Sequence, residues 1–506
     1  MFNFNSKKEW LESFSDKGTS LLYKKISSDI LTPVLAFLKI NRQFKDHLFL
    51  FESAENDQKK GRFSVIGLDP DLVWRCKDQN CFINRNFQNN SQDFIKENSS
   101  PLQSLRQVIN QSQIDFGKLQ YYEKQLPGIC AGLFGYMGYD MVRLMENLPN
   151  NNLQDELLIP DSIFIRPQIL LVFDSFYDSL LICAPCYDKT QDYQSLKQKI
   201  LEIEEIILGD YFPKKTLDDK KSNFLGFDFK ASYTAQEYQD MVIKAKEYIT
   251  AGDVFQVLPS QRFVSKFPNI DQFEFYRSLR SLNPSPFLFY LKFSEFVLVG
   301  SSPEIMVAKQ GDKVIVRPLA GTRLRGKNSQ QDKEIANELL NDQKEVAEHL
   351  MLIDLARNDI GMVAKAGSIE VTKKMIIEYY SHVMHISSSV EGQIADNYQA
   401  LDALISAFPA GTVSGAPKIR AMEIIEELEK LKRGFYSGCV GYFSGNGDME
   451  TCITLRSALI KDEKIYLHSG AGVVFDSDPK SEYQETLNKA KALVKACEAL
   501  EKMDRK

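Results

Sequence analysis

The stretch SGCVGYFSGNGDMETCITLRSALI, residues 437–460, decides which architecture we expect for this chain. Two runs with strand character, 437–444 and 450–460, flank Gly445-Asn446-Gly447-Asp448, a turn sequence typical of β-hairpins. Residues 464–468 add a further strand. Earlier in the chain, 287–291 and 295–299 read as a second strand pair, and 163–173 and 180–183 as a third. Since strands follow one another in hairpins and meanders, we predict an α+β fold with largely antiparallel sheets.

Helices are predicted from apolar periodicity at five places outside these strands. Gly252 should end the helix 235–251, and Ser414 and Pro417 should begin a helix that runs to about Lys432. The other three expected helices are 200–208, a single long helix 332–358, and a closing helix 481–500.

One segment reads as a linker. Residues 209–226 are rich in Lys, Asp, Pro and Gly, a composition typical of connections between folded regions. We therefore divide the chain into an N-terminal region, 1–208, and a larger C-terminal region, 227–506.

Composition excludes several classes of protein. The 506 residues include 62 Lys and Arg against 68 Asp and Glu, a net charge of −6, which argues against a general nucleic-acid or membrane-surface binder. The longest apolar runs are too short to span a bilayer. Eight cysteines in so long a chain predict reduced thiols and a cytoplasmic protein. With only five histidines, a divalent cation would bind to carboxylates.

Two pairs of glutamates have helical spacing. Glu345 and Glu348 lie three residues apart, and Glu482 and Glu485 repeat the spacing with Lys489 four residues further on. Side chains at this spacing project from one face of a helix. Four carboxylates facing one space repel each other, and Mg²⁺ is the usual remedy. The alternative is that both pairs belong to solvated helix faces, the commoner arrangement for Glu at this spacing.

Several longer segments together resemble the chorismate-utilising enzyme family. They are IVRPLAGTRLRG at 315–326, EVAEHLMLIDLARNDIG at 345–361, SHVMHIS at 381–387, FPAGTVSGAPKIRAM at 408–422, and the segment 470–490. They occur in the family's order and cover nearly all of 227–506, which the resemblance makes the chorismate-binding catalytic region. The resemblance also implies that the antiparallel sheets pack as a sandwich with surrounding helices.

Within the family the chain is most similar to the branch that converts chorismate and ammonia to anthranilate and pyruvate, the first step of tryptophan biosynthesis. Water-using relatives, which form isochorismate or salicylate, carry a lysine at the position of Gln256, and an amide cannot deprotonate water. The alternative that is harder to distinguish is the aminodeoxychorismate-forming branch, which typically has a nucleophilic lysine where this chain has Ala320. A third possibility is an inactive member that serves as a tryptophan-binding or scaffold subunit, against which the complete glutamate set argues.

The resemblance implies roles for individual residues. Glu348 and Glu485 match the direct Mg²⁺ ligands, and Glu345 and Glu482 support the ion through water or act on the substrate. His385 matches the histidine tied to pyruvate elimination. The substrate site is matched by Gly321, Thr322, Tyr436, Arg456, Gly470, Ala471, Gly472 and Lys489, with Thr412 in the same lining. We expect Glu345 to act as general acid, because crowding with other carboxylates favours its protonated form.

The N-terminal region resembles the tryptophan feedback site of the family. Leu50-Phe51-Glu52-Ser53 matches one half of that site, with Phe51 replacing the usual second leucine. Pro286, Phe287 and Leu288 match the partner half, with Phe287 where tyrosine is common. This makes 1–208 a regulatory region and L-tryptophan an inhibitor. The alternative interpretation is that the first segment is only an apolar strand ending in Glu-Ser and the second only a proline-rich turn.

The resemblance implies a partner protein as well. Ammonia would come from a separate glutamine amidotransferase subunit, or from free ammonium, since the chain contains no segment with amidotransferase motifs. A hetero-oligomer is therefore expected, with one amidotransferase per large subunit and pairing into a heterotetramer.

Overall fold

The hairpin expected around Asn446 is present. Strands Cys439–Ser444 and Met449–Ile453 pair in antiparallel register, with Tyr442 opposite Glu450. The predicted strand 450–460 is wrong as one element, because it ends at Ile453 and a new strand begins at Ser457. Between them Arg456 has a φ of +47°, a left-handed conformation that interrupts an extended chain.

The computed structural model describes residues 4–15, 18–53, 61–117, 119–121, 124–149, 153–211, 226–380 and 383–504. Within this part of the chain the helices are α1 Lys7–Glu12, α2 Pro33–Ile40, α3 Pro101–Gln111, α4 Tyr193–Leu208, α5 Ala235–Ala251, α6 Gln272–Leu282, α7 Ser329–Asn341, α8 Gln343–Gly361, α9 Ala400–Ala407, α10 Lys418–Leu428 and α11 Pro479–Asp504. The strands before the linker are β1 Ser20–Ser27, β2 Leu48–Glu52, β3 Phe63–Lys77, β4 Asn80–Asn84, β5 Ile95–Lys96, β6 Gln120–Tyr121, β7 Lys124–Gln125, β8 Gly132–Met137, β9 Ser162–Asp174 and β10 Ser179–Cys186. Those after it are β11 Lys230–Ala231, β12 Gln256–Val257, β13 Ser260–Lys266, β14 Phe287–Lys292, β15 Val297–Ser302, β16 Ile305–Gln310, β17 Lys313–Val316, β18 Leu319–Leu324, β19 Glu370–Tyr379, β20 Val383–Gln393, β21 Gly415–Ala416, β22 Cys439–Ser444, β23 Met449–Ile453, β24 Ser457–Lys461 and β25 Lys464–Gly470.

Most of these strands belong to one continuous hydrogen-bonded sheet of 21 strands. Its long pairs are antiparallel, among them β3 with β9, β14 with β15 and β24 with β25, which confirms the α+β prediction. The sheet crosses the two sequence regions, because β2 pairs with β14 and β8 pairs with β22. Of the predicted linker 209–226, residues 212–225 lie outside the described residues.

The strands bury both of their faces, which explains their long apolar runs. On β2, Leu48 and Leu50 pack with helices α2, α4, α6 and α11, whereas Phe49 between them points into a core made by opposed strands. In that inner core the rings of Phe49 and Phe134 stack with centroids 4.7 Å apart. A third core packs α3, α8 and α9 against strands that include β16 and β23. Opposed layers of this continuous sheet therefore form a sandwich, with the helices outside it.

Two helix predictions are corrected. The single helix 332–358 is wrong, because the chain breaks at Asp342 into α7 and α8. Asp342 ends α7 and caps α8, its side chain accepting from the backbone N–H groups of Lys344 and Glu345. Ser414 does not cap α10, because its hydroxyl donates to the carbonyl of Ala410 (2.9 Å), and α10 ends at Leu428 rather than near Lys432. The helix 235–251 is confirmed, with Gly252 in the left-handed conformation at its end.

Two further expectations concern the chain as a whole. All eight cysteines are free and buried. Among the described helices, none combines the length and apolar character needed to cross a membrane.

Candidate active site

Helices α8 and α11 carry the two glutamate pairs. Gln256, on the short strand β12, donates from Nε2 to Glu348 Oε1 at 3.1 Å. On α11, Lys489 Nζ lies 2.7 Å from Glu485 Oε1, four residues earlier on the same helix face. Of the carboxylates that the resemblance identifies as direct metal ligands, Glu348 on α8 is therefore held by the Gln256 amide from β12, and Glu485 by the ammonium of Lys489 on its own helix.

Charge couples the two helices across the space between them. Burial raises the pKa of Glu348, and the negative charges of Glu345 and Glu485 raise it further. Burial likewise raises the pKa of Glu482, with Glu485 adding to the effect. Because Glu348 on α8 is affected by Glu485 on α11, the two glutamate pairs are close enough to influence each other's charge.

The donor set suits a hard divalent cation. No three Asp, Glu, His or Cys side chains of the described residues converge closely enough to form a complete metal-binding group. Glu482 Oε2, however, is buried and has no hydrogen-bond partner among the described residues. A buried carboxylate oxygen without a donor costs free energy, and a cation would remove that cost. The residues therefore fit Mg²⁺, which prefers carboxylate oxygens and water.

Positive charge lies beside this acidic space, at the end of β25 and on the turn before β24. Arg456 donates from Nη1 to the carbonyl of Lys489 at 2.8 Å, and Lys489 Nζ donates to the carbonyl of Gly470 at 3.1 Å. Burial lowers the pKa of Arg456, and a buried guanidinium is suited to binding a carboxylate in a bidentate manner. Tyr436, whose ring stacks on that of His468 at 4.3 Å, lies near Arg456 and is buried.

The glycines after β25 allow close approach of neighbouring groups. A Cβ atom on Gly472 would lie 2.8 Å from Gln256 Nε2, so a larger residue at 472 would displace the amide that holds Glu348. The backbone N–H of Ala471, between the two glycines, donates to the carbonyl of Pro259 at 3.2 Å. The predicted residues Gln256, Gly470, Ala471 and Gly472 are thus brought to one edge of the site.

Strands β18 and β20 form another wall. His385 Nδ1 lies 3.2 Å from the carbonyl of Gly321 and 3.1 Å from Thr322 Oγ1. Burial lowers the pKa of His385, which keeps its ring neutral at pH 7. Gly321 has a φ of +59° and a Cβ there would lie 3.2 Å from Glu345 Oε2, so β18 touches the first glutamate of α8. His382 lies outside the described residues.

Sequence reasoning missed Arg323. Its guanidinium lies 3.1 Å from Glu345 Oε1 and 2.8 Å from Asp342 Oδ2, the residue that caps α8. The arginine therefore ties β18 to the start of the helix that carries Glu345. The only signal for it in the sequence was its place in GTRLRG, the end of the quoted segment 315–326.

Sequence reasoning also missed Glu304, a buried carboxyl group. Thr412 donates from Oγ1 to Glu304 Oε1 at 3.0 Å, and the backbone N–H of Leu319 also hydrogen-bonds to the carboxyl group. Burial raises the pKa of Glu304 to about 8, although these hydrogen bonds and the charge of Lys489 oppose the rise. The signal that could have found it is an acidic residue two positions after the fully buried strand β15.

The residues predicted to bind an inhibitor lie elsewhere, in one cavity of about 770 Å³ between β2 and the C-terminal strands. Ser53, Pro286, Phe287 and Leu288 all line it. The neighbouring carboxylate of Glu52 accepts from Tyr276 Oη at 2.5 Å and from Arg280 Nε at 2.9 Å. The two halves of the predicted site are adjacent because Leu288 pairs with Glu52 in the sheet.

Comparison with known proteins agrees with this arrangement. The family model of chorismate binding enzymes matches residues 47–495. The anthranilate synthase component 1 of Cereibacter sphaeroides is 46% identical over 94% of each chain, and that of Aquifex aeolicus is 40% identical over 99% of each. The crystal structure of anthranilate synthase component I from Streptococcus pneumoniae superposes with a TM-score of 0.76 and 33% identity, covering 93% of this chain and 99% of that one.

The match takes in both sides of the linker, including all four glutamates, Arg456 and Lys489. It also includes strands β8 and β9, which build the N-terminal part of the shared sheet. The chain belongs to the family of chorismate binding enzymes, and within it to the anthranilate synthase component 1 proteins.

Proposed function

We propose that this protein is the large subunit that converts chorismate and ammonia to anthranilate and pyruvate, the first step of tryptophan biosynthesis, in the cytoplasm. The observation that carries the proposal is the 46% identity to an anthranilate synthase component 1 over 94% of each chain. The site supports the choice of nucleophile. Gln256 cannot serve as a base toward water, and Ala320 cannot attack the substrate covalently, so ammonia attacks directly.

We propose Mg²⁺ as the cofactor, with Glu348 and Glu485 as direct ligands and with Glu345 and Glu482 supporting the ion through water. When bound, the ion neutralises part of the substrate's carboxylate charge and draws electron density from its ring. Gln256 and Lys489 hold the ligand carboxylates in the protein itself and keep them oriented.

The remaining substrate charge is met by the protein. Chorismate carries two carboxylates, and Arg456 and Lys489 lie together where β25 meets α11. We assign these two cations to substrate binding, and the small residues Gly470, Ala471 and Gly472 to close approach of the substrate to the backbone. Tyr436, Gly321 and Thr322 complete the proposed lining.

A proton must reach the C4 hydroxyl as it leaves, and the raised pKa of Glu304 supports this residue as the donor. A carboxylic acid with a pKa near 8 is protonated at pH 7 and can give up its proton. Thr412 orients the carboxyl group. Glu345, which the sequence suggested for this role, is ion-paired with Arg323. We therefore assign the acid to Glu304 and leave Glu345 to the metal site.

Loss of the C2 proton and of enolpyruvate then gives the aromatic ring. We propose that neutral His385 assists this step, because a neutral imidazole can accept a proton and His385 borders the same space as Glu345 through Gly321.

Regulation and assembly complete the proposal. L-tryptophan is the proposed inhibitor, bound in the 770 Å³ cavity by Ser53, Pro286, Phe287 and Leu288. The term component 1 in the names of the relatives supports a second component, which we propose is a glutamine amidotransferase in a hetero-oligomer.

The proposal is tested by fluorescence on mixing the protein with chorismate, ammonium chloride and MgCl₂. Anthranilate fluoresces strongly and aminodeoxychorismate does not, so a rising signal supports the proposal and silent consumption of chorismate supports the alternative branch. EDTA should abolish the signal, and added Mg²⁺ should restore it. Glu348→Gln should abolish turnover, whereas its control Glu334→Gln, at an exposed position on α7, should not. Absence of any chorismate turnover would contradict the proposal.

A further inference from the structure

The large cavity and the proposed proton donor are separated by a single layer of backbone. Pro303, Ile305 and Leu319 line the 770 Å³ cavity. Glu304 and Thr412 line a small cavity of about 30 Å³ on the other side of this layer. Ile305 borders both cavities. We call the segments 303–305 and 317–319 the wall.

Three of the residues that hold Glu304 also face the large cavity. Pro303 precedes Glu304 and Ile305 follows it, so both fix its backbone directly. Leu319 supplies the N–H that hydrogen-bonds to the Glu304 carboxyl group. Residues that line the large cavity are therefore either joined to Glu304 by a peptide bond or hydrogen-bonded to its carboxyl group.

The strand pairing of the wall is irregular next to Glu304. Pairing of β16 with β23 shifts register between Ile305 and Val307, a β-bulge immediately after Glu304. Bulges re-aim side chains and interrupt the hydrogen-bonded ladder. The backbone of Glu304 is held by the N–H of Ile453, which donates to its carbonyl at 3.0 Å, and by a longer bond of 3.4 Å to Ser302 Oγ.

The wall is also continuous with the proposed inhibitor contacts. Phe287, which lines the large cavity, pairs directly with Ser302, two residues before Glu304. A ligand between Phe287 and Ile305 would touch both strands.

We propose that Pro303, Ile305 and Leu319 are positioning residues for Glu304, and that a ligand in the large cavity inhibits the enzyme by displacing Glu304 through this wall. The identity of the ligand, L-tryptophan, rests on the proposed function; the wall itself does not. Displacement that weakens the Thr412 or Leu319 hydrogen bond disfavours the ionised carboxyl group, because both bonds stabilise the charge.

Three other charged groups surround Glu304. Lys489 acts on it from α11, and Arg317 and Asp359 line the same small cavity. Asp359 is paired with Lys418 at 2.7 Å, and Arg317, which itself belongs to the wall, is paired with Glu378, so each of these two charges has an opposite charge beside it.

The test follows the Glu304 carboxyl group directly, by infrared difference titration between pH 6 and 10, with Glu304→Gln as the blank that removes the signal. The wild-type protein should give a midpoint near 8. Saturating L-tryptophan should move it upward by about 0.5 pH units or more, and so should Ile305→Ala alone. The matched control is Ile460→Ala, a buried isoleucine of β24 that lines neither cavity. It should leave the midpoint unchanged.

Several outcomes overturn the wall proposal. One is a midpoint in Ile305→Ala equal to that of the wild type, and a second is an equal shift in Ile460→Ala, which would indicate general loosening. A third is that calorimetry shows tryptophan binding while the midpoint of the Glu304 titration stays unchanged. If Ile305→Ala does not fold, Ile305→Val and Ile460→Val replace the pair. Failure of the proposed function shows separately, as absence of anthranilate from the wild-type protein or absence of tryptophan binding.

Discussion

Two carboxyl groups, Glu304 and Glu345, could donate the proton to the leaving hydroxyl, and their surroundings separate them. Glu304 is buried with a raised pKa, whereas Glu345 has Arg323 against it. We expect Glu304→Gln to lower kcat by about 100-fold or more, the usual contribution of a general acid. In the wild type, kcat should fall as the pH rises through about 8, because the acid loses its proton there.

The comparison variant is Glu345→Gln. It should keep the fall in kcat near pH 8 and raise the Mg²⁺ concentration needed for half-maximal activity. The opposite result would be that Glu345→Gln removes the fall in kcat near pH 8 while Glu304→Gln keeps it. In that case the assignment of the general acid to Glu345, made from the sequence, is the right one.

Because His349 is buried, we expect it to make the free energy of unfolding depend on pH. It is fully buried on α8, its Nε2 lies 2.7 Å from Ser388 Oγ, and burial lowers its pKa to about 4. The unfolded chain takes up this proton near pH 6.5, so stability is present above that pH and is lost as the pH falls toward 4. Urea unfolding at pH 7 and pH 5 should show the loss, and His349→Gln should reduce it by about 2 kcal/mol. An equal loss in the variant would contradict the assignment.

At the scale of elements, the break between α7 and α8 sets where Glu345 lies. Asp342 caps α8 and contacts Arg323 at 2.8 Å. Asp342→Ala should therefore cost about 1 kcal/mol in the free energy of unfolding and weaken Mg²⁺ activation. The control is Asp354→Ala, an exposed residue on the same helix that forms an i,i+3 pair with Arg357 and should cost less than about 0.5 kcal/mol. Equal effects on Mg²⁺ activation would contradict the role given to the cap.

Local patterns predicted most of the elements, and failed where the decisive partner is distant in sequence. The hairpin at Asn446 and the end of α5 at Gly252 depend on turn chemistry that a few residues specify. The break at Asp342 was missed because aspartate is tolerated inside a helix, and its contact with Arg323 spans 19 positions of the sequence.

The residues of the site divide in the same way, into those that local spacing indicates and those that depend on a partner distant in sequence. Spacing along a helix suggested Glu345, Glu348, Glu482 and Glu485, since residues three apart share a face. Glu304 and Thr412 are separated by 108 positions, so nothing local indicates their hydrogen bond or the burial that raises the pKa of Glu304. The resemblance supplied Thr412 without its partner.

At the scale of the whole molecule, the sequence suggests two regions and the sheet joins them. Strand β2 of the N-terminal region pairs with β14, and β8 pairs with β22, along six residues in the latter case. The inner core mixes both regions as well, with Phe49 and Phe134 beside Phe289 and Val440. A separated C-terminal region would expose unpaired strand edges and its share of this core.

The chain should therefore unfold as one cooperative unit, and its own residues supply two independent probes. Both tryptophans, Trp10 and Trp74, lie in the N-terminal region and are buried, so their fluorescence reports on that region. Anthranilate formation reports on the C-terminal region. We expect the urea midpoints of the two signals to coincide, because loss of β2 and β8 removes pairing partners from β14 and β22. As a control for local loss of activity, far-ultraviolet circular dichroism should give the same midpoint. Loss of tryptophan fluorescence at a lower urea concentration than loss of activity would show that the regions fold separately, and would favour a detachable regulatory region over a shared sheet.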